Sequence, residues 1–300
     1  MGTTWSMRLA GADGGTASLG AAIAALLDRL VMDLSHWEPT SALCRFNQSP
    51  PGTWHSLPRA LREVLDAALT IAEETSGAFD PTLGALVDLW GFGPPGPVAA
   101  PPDPDALAEA VSRCGWQRLR FDRTRGDAWQ PGGLSLDLSG IAKGYAVDRV
   151  SALLMERGIP DHLVEIGGEL RGSGLKPNGS PWWGALESPD ATVPGMVAAL
   201  HGLAVATSGE YRRGFVNAGR RFGHTLDPHR AEPIDTGLLA VSVLHPSCML
   251  ADAYATALLA LGPEHGSLLA TQASLPARFL IARRPQYVEV LSPSLRAMLD

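Results

Sequence analysis

The sequence predicts an α+β fold with largely antiparallel sheets and packed helices, and three observations carry that expectation. Short alternating apolar runs follow one another as neighbouring strands more often than they alternate with helices. Two long segments, 18–34 and 56–77, instead repeat their apolar residues at spacings of three and four. No internal repeat of fixed period is present.

Composition bounds the function. A chain of 300 residues can bury a large core, as one big domain or two intimate halves. With 45% hydrophobic and 18% charged residues it is globular in composition. A net charge of −7 without a basic cluster argues against a nucleic-acid partner. Cys44, Cys114 and Cys248 are too few and too scattered for a disulfide framework or a CxxC metal site, which favours a reducing compartment. The N-terminal MGTTWSMRLAGADGG has no basic segment followed by an apolar run, and the next apolar stretch is broken by Asp28 and Arg29. The expectation is a cytoplasmic chain with no export signal and no membrane span.

In chain order, residues 4–9 read as a strand. Residues 18–34 read as a helix with Leu19, Ile23, Leu26, Leu27, Leu30, Val31 and Leu34 on its buried stripe. Prolines and polar residues make 34–58 irregular, and Trp37 within it is either a partly buried anchor or a planar platform beside a flavin or adenine. The helix over 56–77 has Pro58 in its first turn. The turn GAFDPTLG after it places Phe79 inside, displays Asp80 and offers backbone amides to a ligand; the alternative is a helix cap followed by an Asp-Pro turn. Residues 93–104 are a proline-rich surface loop. A helix opens at Asp103 and Pro104 and ends near Gly115, and 117–122 with 134–138 read as a hairpin.

Within SLDLSGIAKGYAVDRVSALLMERG the apolar period switches from strand to helix at SGIAKG. Such a junction presents free amides suited to phosphate, with Lys143 adding positive charge, although its spacing fits neither the Walker pattern nor GxGxxG. Strands are expected at 162–166, 182–187, 204–209 and 239–244, and Gly167 and Gly168 permit close backbone approach. After Gly262 come one more helix, a strand at 278–282 and an exposed tail.

The chemistry concentrates in residues 224–262. His224, Asp227 and Pro228 form a polar turn at its front. At its back, Asp252 and Thr256 lie four residues apart in a helix of alanines, so both oxygens project from one face. Two hard oxygens suit a hard cation such as Mg²⁺; an Asp near a helix start also serves commonly as a cap.

Eight segments in order, MGTTWS, SALCRFN, SGAFDPTLGALVDLWGF, LDLSGIAKGYAVD, EIGGELRGSG, VATSGEYRR, HTLDP and ADAYATALLALG, are similar to the successive motifs of one family. The chain resembles the FAD:protein FMN transferases, the ApbE family of Mg²⁺-dependent flavin transferases, along nearly its whole length. The resemblance implies a single ApbE-like (T-fold-like) domain over 1–300. It implies transfer of FMN from the substrate FAD to a Thr or Ser hydroxyl of an acceptor protein, releasing AMP. It places Mg²⁺ on the side chains of Asp252 and Thr256 and a backbone oxygen at Gly140. It places the flavin nucleotide against Met1, Trp37, Ala78, Phe79, Asp80, Lys143 and His224. His224 is the candidate general base, with Asp227 orienting it. Two positions depart from the family pattern: Gly223, where a second histidine is common, and Ala231, where glycine is expected. An FAD pyrophosphatase and a non-catalytic FAD-binding protein are the alternative readings.

Overall fold

A computed structural model describes residues 3–11, 16–189, 195–283 and 286–299. The chain divides into two compact units: Met1–Arg29, Gly140–Gly209 and Gly237–Asp300 form the first, Leu30–Ser139 and Glu210–Thr236 the second.

The first unit is built on a seven-stranded sheet in which every paired neighbour is antiparallel. Its strands lie in the order Trp5–Leu9, His162–Ile166, Glu169–Ser173, Leu203–Gly209, Leu238–His245, Ala277–Arg283 and Gln286–Leu291. The interior strand Leu238–His245 is buried on both sides, which is why it reads as a nearly continuous apolar run. Helices Ala142–Glu156 and Cys248–Gln272 pack on this sheet and on each other. The second helix kinks at Gly262 (φ 78°), ahead of Pro263, which could not accept a straight helical continuation. A hairpin, Trp182–Leu186 with Met196–Leu200, closes a further apolar cluster with Leu163, Val205, Leu244 and Leu295.

In the second unit, helix Arg59–Glu74 buries Leu61, Val64, Leu65, Ala68, Leu69 and Ile71, the stripe its spacing predicts. A three-stranded antiparallel sheet orders Thr53–Ser56, Asp127–Gln130 and Arg120–Asp122. Trp90, Phe92 and Phe222 form a separate aromatic core, against which Phe215 packs. Residues 93–103 carry no helix or strand, as their prolines require.

Four expectations are corrected. Residues 34–58 are not irregular throughout: Ser41 caps a helix, Ala42–Asn47, by accepting the Cys44 N–H at 3.0 Å, and Thr53–Ser56 is a strand. Six residues are too short to display a period. Pro58 therefore precedes the helix Arg59–Glu74 as its cap residue and does not lie in its first turn. The hairpin pairs Arg120–Asp122 with Asp127–Gln130, turning where Asp122 Oδ1 accepts from Thr124 N and Arg125 N, both at 3.0 Å. Leu134, Leu136 and Leu138 are buried and alternate like a strand, but backbone pairing is limited to a parallel bridge between Ser135 and Leu83, and side-chain amides take the other edge. Gln130 binds both backbone groups of Leu134 and Asn47 binds both of Leu136. The tail is a strand, Gln286–Leu291, and a short helix, Pro293–Arg296, anchored by buried Leu295.

Candidate active site

In the first unit the two helices cap one another. Asp148, on Ala142–Glu156, accepts the N–H groups of Cys248 and Met249 at 3.0 Å each and the Ser247 hydroxyl at 2.8 Å. These are orphan donors at the start of Cys248–Gln272, and a carboxylate there also complements the helix dipole. Arg171 holds Asp148 from the sheet at 2.8 Å. In return, Asp252 Oδ2 accepts the N–H of Gly144, in the first turn of Ala142–Glu156, at 3.0 Å. Gly144 must be glycine because a Cβ there would overlap the Cys248 carbonyl and approach Met249 Cα to 2.8 Å. Asp252 is thus a cap, of the neighbouring helix and not of its own.

The remaining groups converge on Lys143. Its ammonium ion-pairs with Glu169 and lies 3.9 Å from Asp252 Oδ1. Burial opposes the lysine charge, but the two carboxylates outweigh it and hold its pKa above the ordinary value. Burial likewise raises both acids against the pull of Lys143, Glu169 to about 7. Glu169 Oε2 is buried without a hydrogen-bond partner among the described residues. One turn along the helix from Asp252, Thr256 Oγ1 lies 2.9 Å from Ser208 Oγ. Gly140 sits half-buried in the turn before Lys143. The Gly144 amide and Lys143, expected to be free for phosphate, are engaged by Asp252 and Glu169.

In the second unit, Trp37 is half-exposed, with the Arg213 guanidinium 5.9 Å from its ring centroid. It borders a cavity of about 480 Å³ that His36, Asp88 and Asp137 also line. Ala78 and Phe79 are buried, and their amides are taken: Ala78 N donates to Thr75 O and Phe79 N to Thr75 Oγ1, both at 3.1 Å. Asp80 is not displayed. It accepts from Thr82 N (2.8 Å), Thr82 Oγ1 (2.6 Å) and Trp116 N (3.1 Å), and burial raises its pKa. The cap-and-turn alternative therefore describes 77–82, and the expectation of available amides is overturned by Thr75.

His224 packs edge-on to Phe92, with ring centroids 6.4 Å apart. Asp227 shapes its own turn, accepting from His229 N at 2.9 Å and Arg230 N at 3.2 Å. Ala231 adopts φ 58°, the left-handed conformation that explains the expected glycine, and its carbonyl accepts the Trp90 indole N–H at 3.0 Å.

Residues 1–279 match the ApbE family. The chain belongs to that family. A FAD:protein FMN transferase of Klebsiella pneumoniae is 33% identical over 306 residues, covering 100% of this chain and 87% of the relative. A Vibrio cholerae protein of the same name is 33% identical, with 100% and 91% covered. Among solved structures, the Pseudomonas stutzeri flavinyl transferase ApbE, apo form, superposes with a TM-score of 0.92 at 37% identity, covering 99% of this chain and 93% of that one. Flavin transferase ApbE from Vibrio cholerae superposes with a TM-score of 0.90 at 32% identity, with 99% and 96% covered.

Of the site residues expected for this family, Lys143, Asp252, Thr256 and Gly140 fall in the first unit. Trp37, Ala78, Phe79, Asp80, His224 and Asp227 fall in the second. Met1 lies outside the described residues. Sequence reasoning missed Glu169, Asp148 and Ser208, which hold Lys143, the helix start and Thr256 respectively. Charge beside the glycine pair in EIGGE was the one available signal for Glu169.

Proposed function

We propose that this chain is a FAD:protein FMN transferase, residues 1–300 acting as one flavin transferase domain. In this reading FAD is split at its pyrophosphate, FMN passes to a Thr or Ser hydroxyl of an acceptor protein, and AMP leaves. The observation that carries it is the docking of the strand-to-helix junction at 140–144 onto Asp252 through the Gly144 amide. Lys143, the start of its helix and the oxygens of Asp252 and Thr256 belong to one unit, which supports the reading.

The donor set fits Mg²⁺. Among the described residues no three His, Cys, Asp or Glu side chains cluster as a metal site. A cation at Asp252, Thr256 and the Gly140 backbone oxygen would therefore keep positions for water and phosphate, which is how Mg²⁺ binds. Bound there, Mg²⁺ supplies neutralisation of charge on the pyrophosphate oxygens. Glu169 restrains Lys143, so its ammonium is presented to phosphate at little ordering cost. Ser208 fixes the Thr256 hydroxyl.

The transfer forms one bond from the acceptor oxygen to the FMN phosphorus as the bridging P–O bond to AMP breaks. The hydroxyl proton passes to the imidazole of His224, with Asp227 organising the turn that follows it. Met1, Trp37, Ala78, Phe79, Asp80 and His224 contact the flavin nucleotide in this reading. The test is AMP release from FAD by Asp252→Ala and Thr256→Ala across a Mg²⁺ titration. Asp252→Ala is expected to lower the rate by about 100-fold or more, and Thr256→Ala to raise the Mg²⁺ requirement. An unchanged Mg²⁺ dependence in Asp252→Ala contradicts the assignment.

A further inference from the structure

Glu210 lies within the motif VATSGEYRR and is the first residue of the second unit's segment Glu210–Thr236. Its Oε1 accepts the Thr225 N–H at 3.3 Å, and its backbone carbonyl accepts Arg221 Nη2 at 2.8 Å. Arg221 Nη2 also donates to Arg213 O at 3.2 Å, so the strand Arg220–Gly223 is held to the segment that Glu210 begins. Gly223 ends that strand without a left-handed φ, so backbone conformation does not call for glycine there. A Cβ on Gly223 would overlap Glu210 Oε2, so any side chain there displaces the end of that carboxylate side chain. One carboxylate thus fixes the main chain on both sides of His224, by a hydrogen bond at 225 and by filling the side-chain space at 223.

This inference rests on the reading of His224 as proton acceptor. We propose that Glu210 is the positioning residue for His224, and that Glu210 and Gly223 are a matched pair in which the carboxylate occupies the volume a side chain at 223 would need. Burial raises the Glu210 pKa while its bonds to Thr225 lower it, consistent with a carboxylate withdrawn from water to serve the backbone. A Glu210 placed only for stability would be tolerated as any partly buried acceptor. A positioning residue instead couples to its neighbour at 223 and acts on turnover more than on FAD binding.

The test is a double-substitution cycle in the full chain with FAD, Mg²⁺ and an acceptor domain, reading kcat and KM for AMP release together with Tm. Glu210→Ala is expected to lower kcat about tenfold or more with KM for FAD within about twofold. Glu210→Gln keeps an oxygen for the Thr225 N–H and is expected to stay within about threefold of the parent. Gly223→Ala displaces the carboxylate and reproduces the kcat loss of Glu210→Ala, and the double variant falls no further than either single one. Losses that multiply in the double variant overturn the pair. A Glu210→Gln as impaired as Glu210→Ala, or a Glu210→Ala that shifts Tm alone, overturns the positioning role. A parent that releases no AMP overturns the proposed function instead; the pair is then judged by the same cycle in Tm, where additive shifts refute it.

Discussion

Asp252 shows what single residues disclose. Its place beside Thr256 was legible in the sequence, since an Asp and a Thr four apart in a helix of alanines share a face whatever the fold. Its partners were not: Gly144 is 108 residues away, and Glu169 shares Lys143 with it. His162 is a second residue whose role emerges from packing. Its Nε2 lies 2.7 Å from Ser151 Oγ and its Nδ1 2.8 Å from Ile159 O, and burial holds its pKa below the ordinary histidine value. A folded pKa below the unfolded one means stability present above about pH 6.5 and lost as the pH falls through the depressed folded value. Tm is therefore expected to decline on acidification from about pH 7 to 5, with a shallower decline in His162→Gln. A slope unaffected by the substitution contradicts a buried neutral imidazole.

Elements were legible where they are long and regular. Arg59–Glu74 buries the predicted stripe, and Leu238–His245 extends the predicted strand by one residue at each end. They were missed where a side chain substitutes for a backbone partner, as Gln130 and Asn47 do along 134–136, or where a helix has only six residues, as in Ala42–Asn47. No local pattern announces either. The reciprocal capping by Asp148 and Asp252 makes the crossing of Ala142–Glu156 and Cys248–Gln272 the element contact on which the proposed Mg²⁺ site depends. Gly144→Ala should force the two apart, costing about 1–3 kcal/mol of stability as overpacking does, and should weaken Mg²⁺-dependent AMP release beyond that loss. Thermal denaturation and a Mg²⁺ titration of the same variant check both parts; a Gly144→Ala protein with parental Tm and parental Mg²⁺ requirement contradicts the close approach.

At the scale of the whole molecule, the order of eight motifs carried the family, and the match over residues 1–279 agrees with it. The division into two discontinuous units was not legible, because each unit is assembled from segments far apart in sequence. Among the described residues no helix is long and apolar enough to cross a membrane. The three cysteines are free thiols, as their spacing suggested. The central claim is protein flavinylation, and intact mass spectrometry of an acceptor domain incubated with this chain, FAD and Mg²⁺ tests it most directly. The account predicts that the acceptor gains the mass of one FMN at a Thr or Ser while AMP appears in equal amount, and that neither occurs without Mg²⁺. AMP and free FMN formed with the acceptor mass unchanged would contradict it.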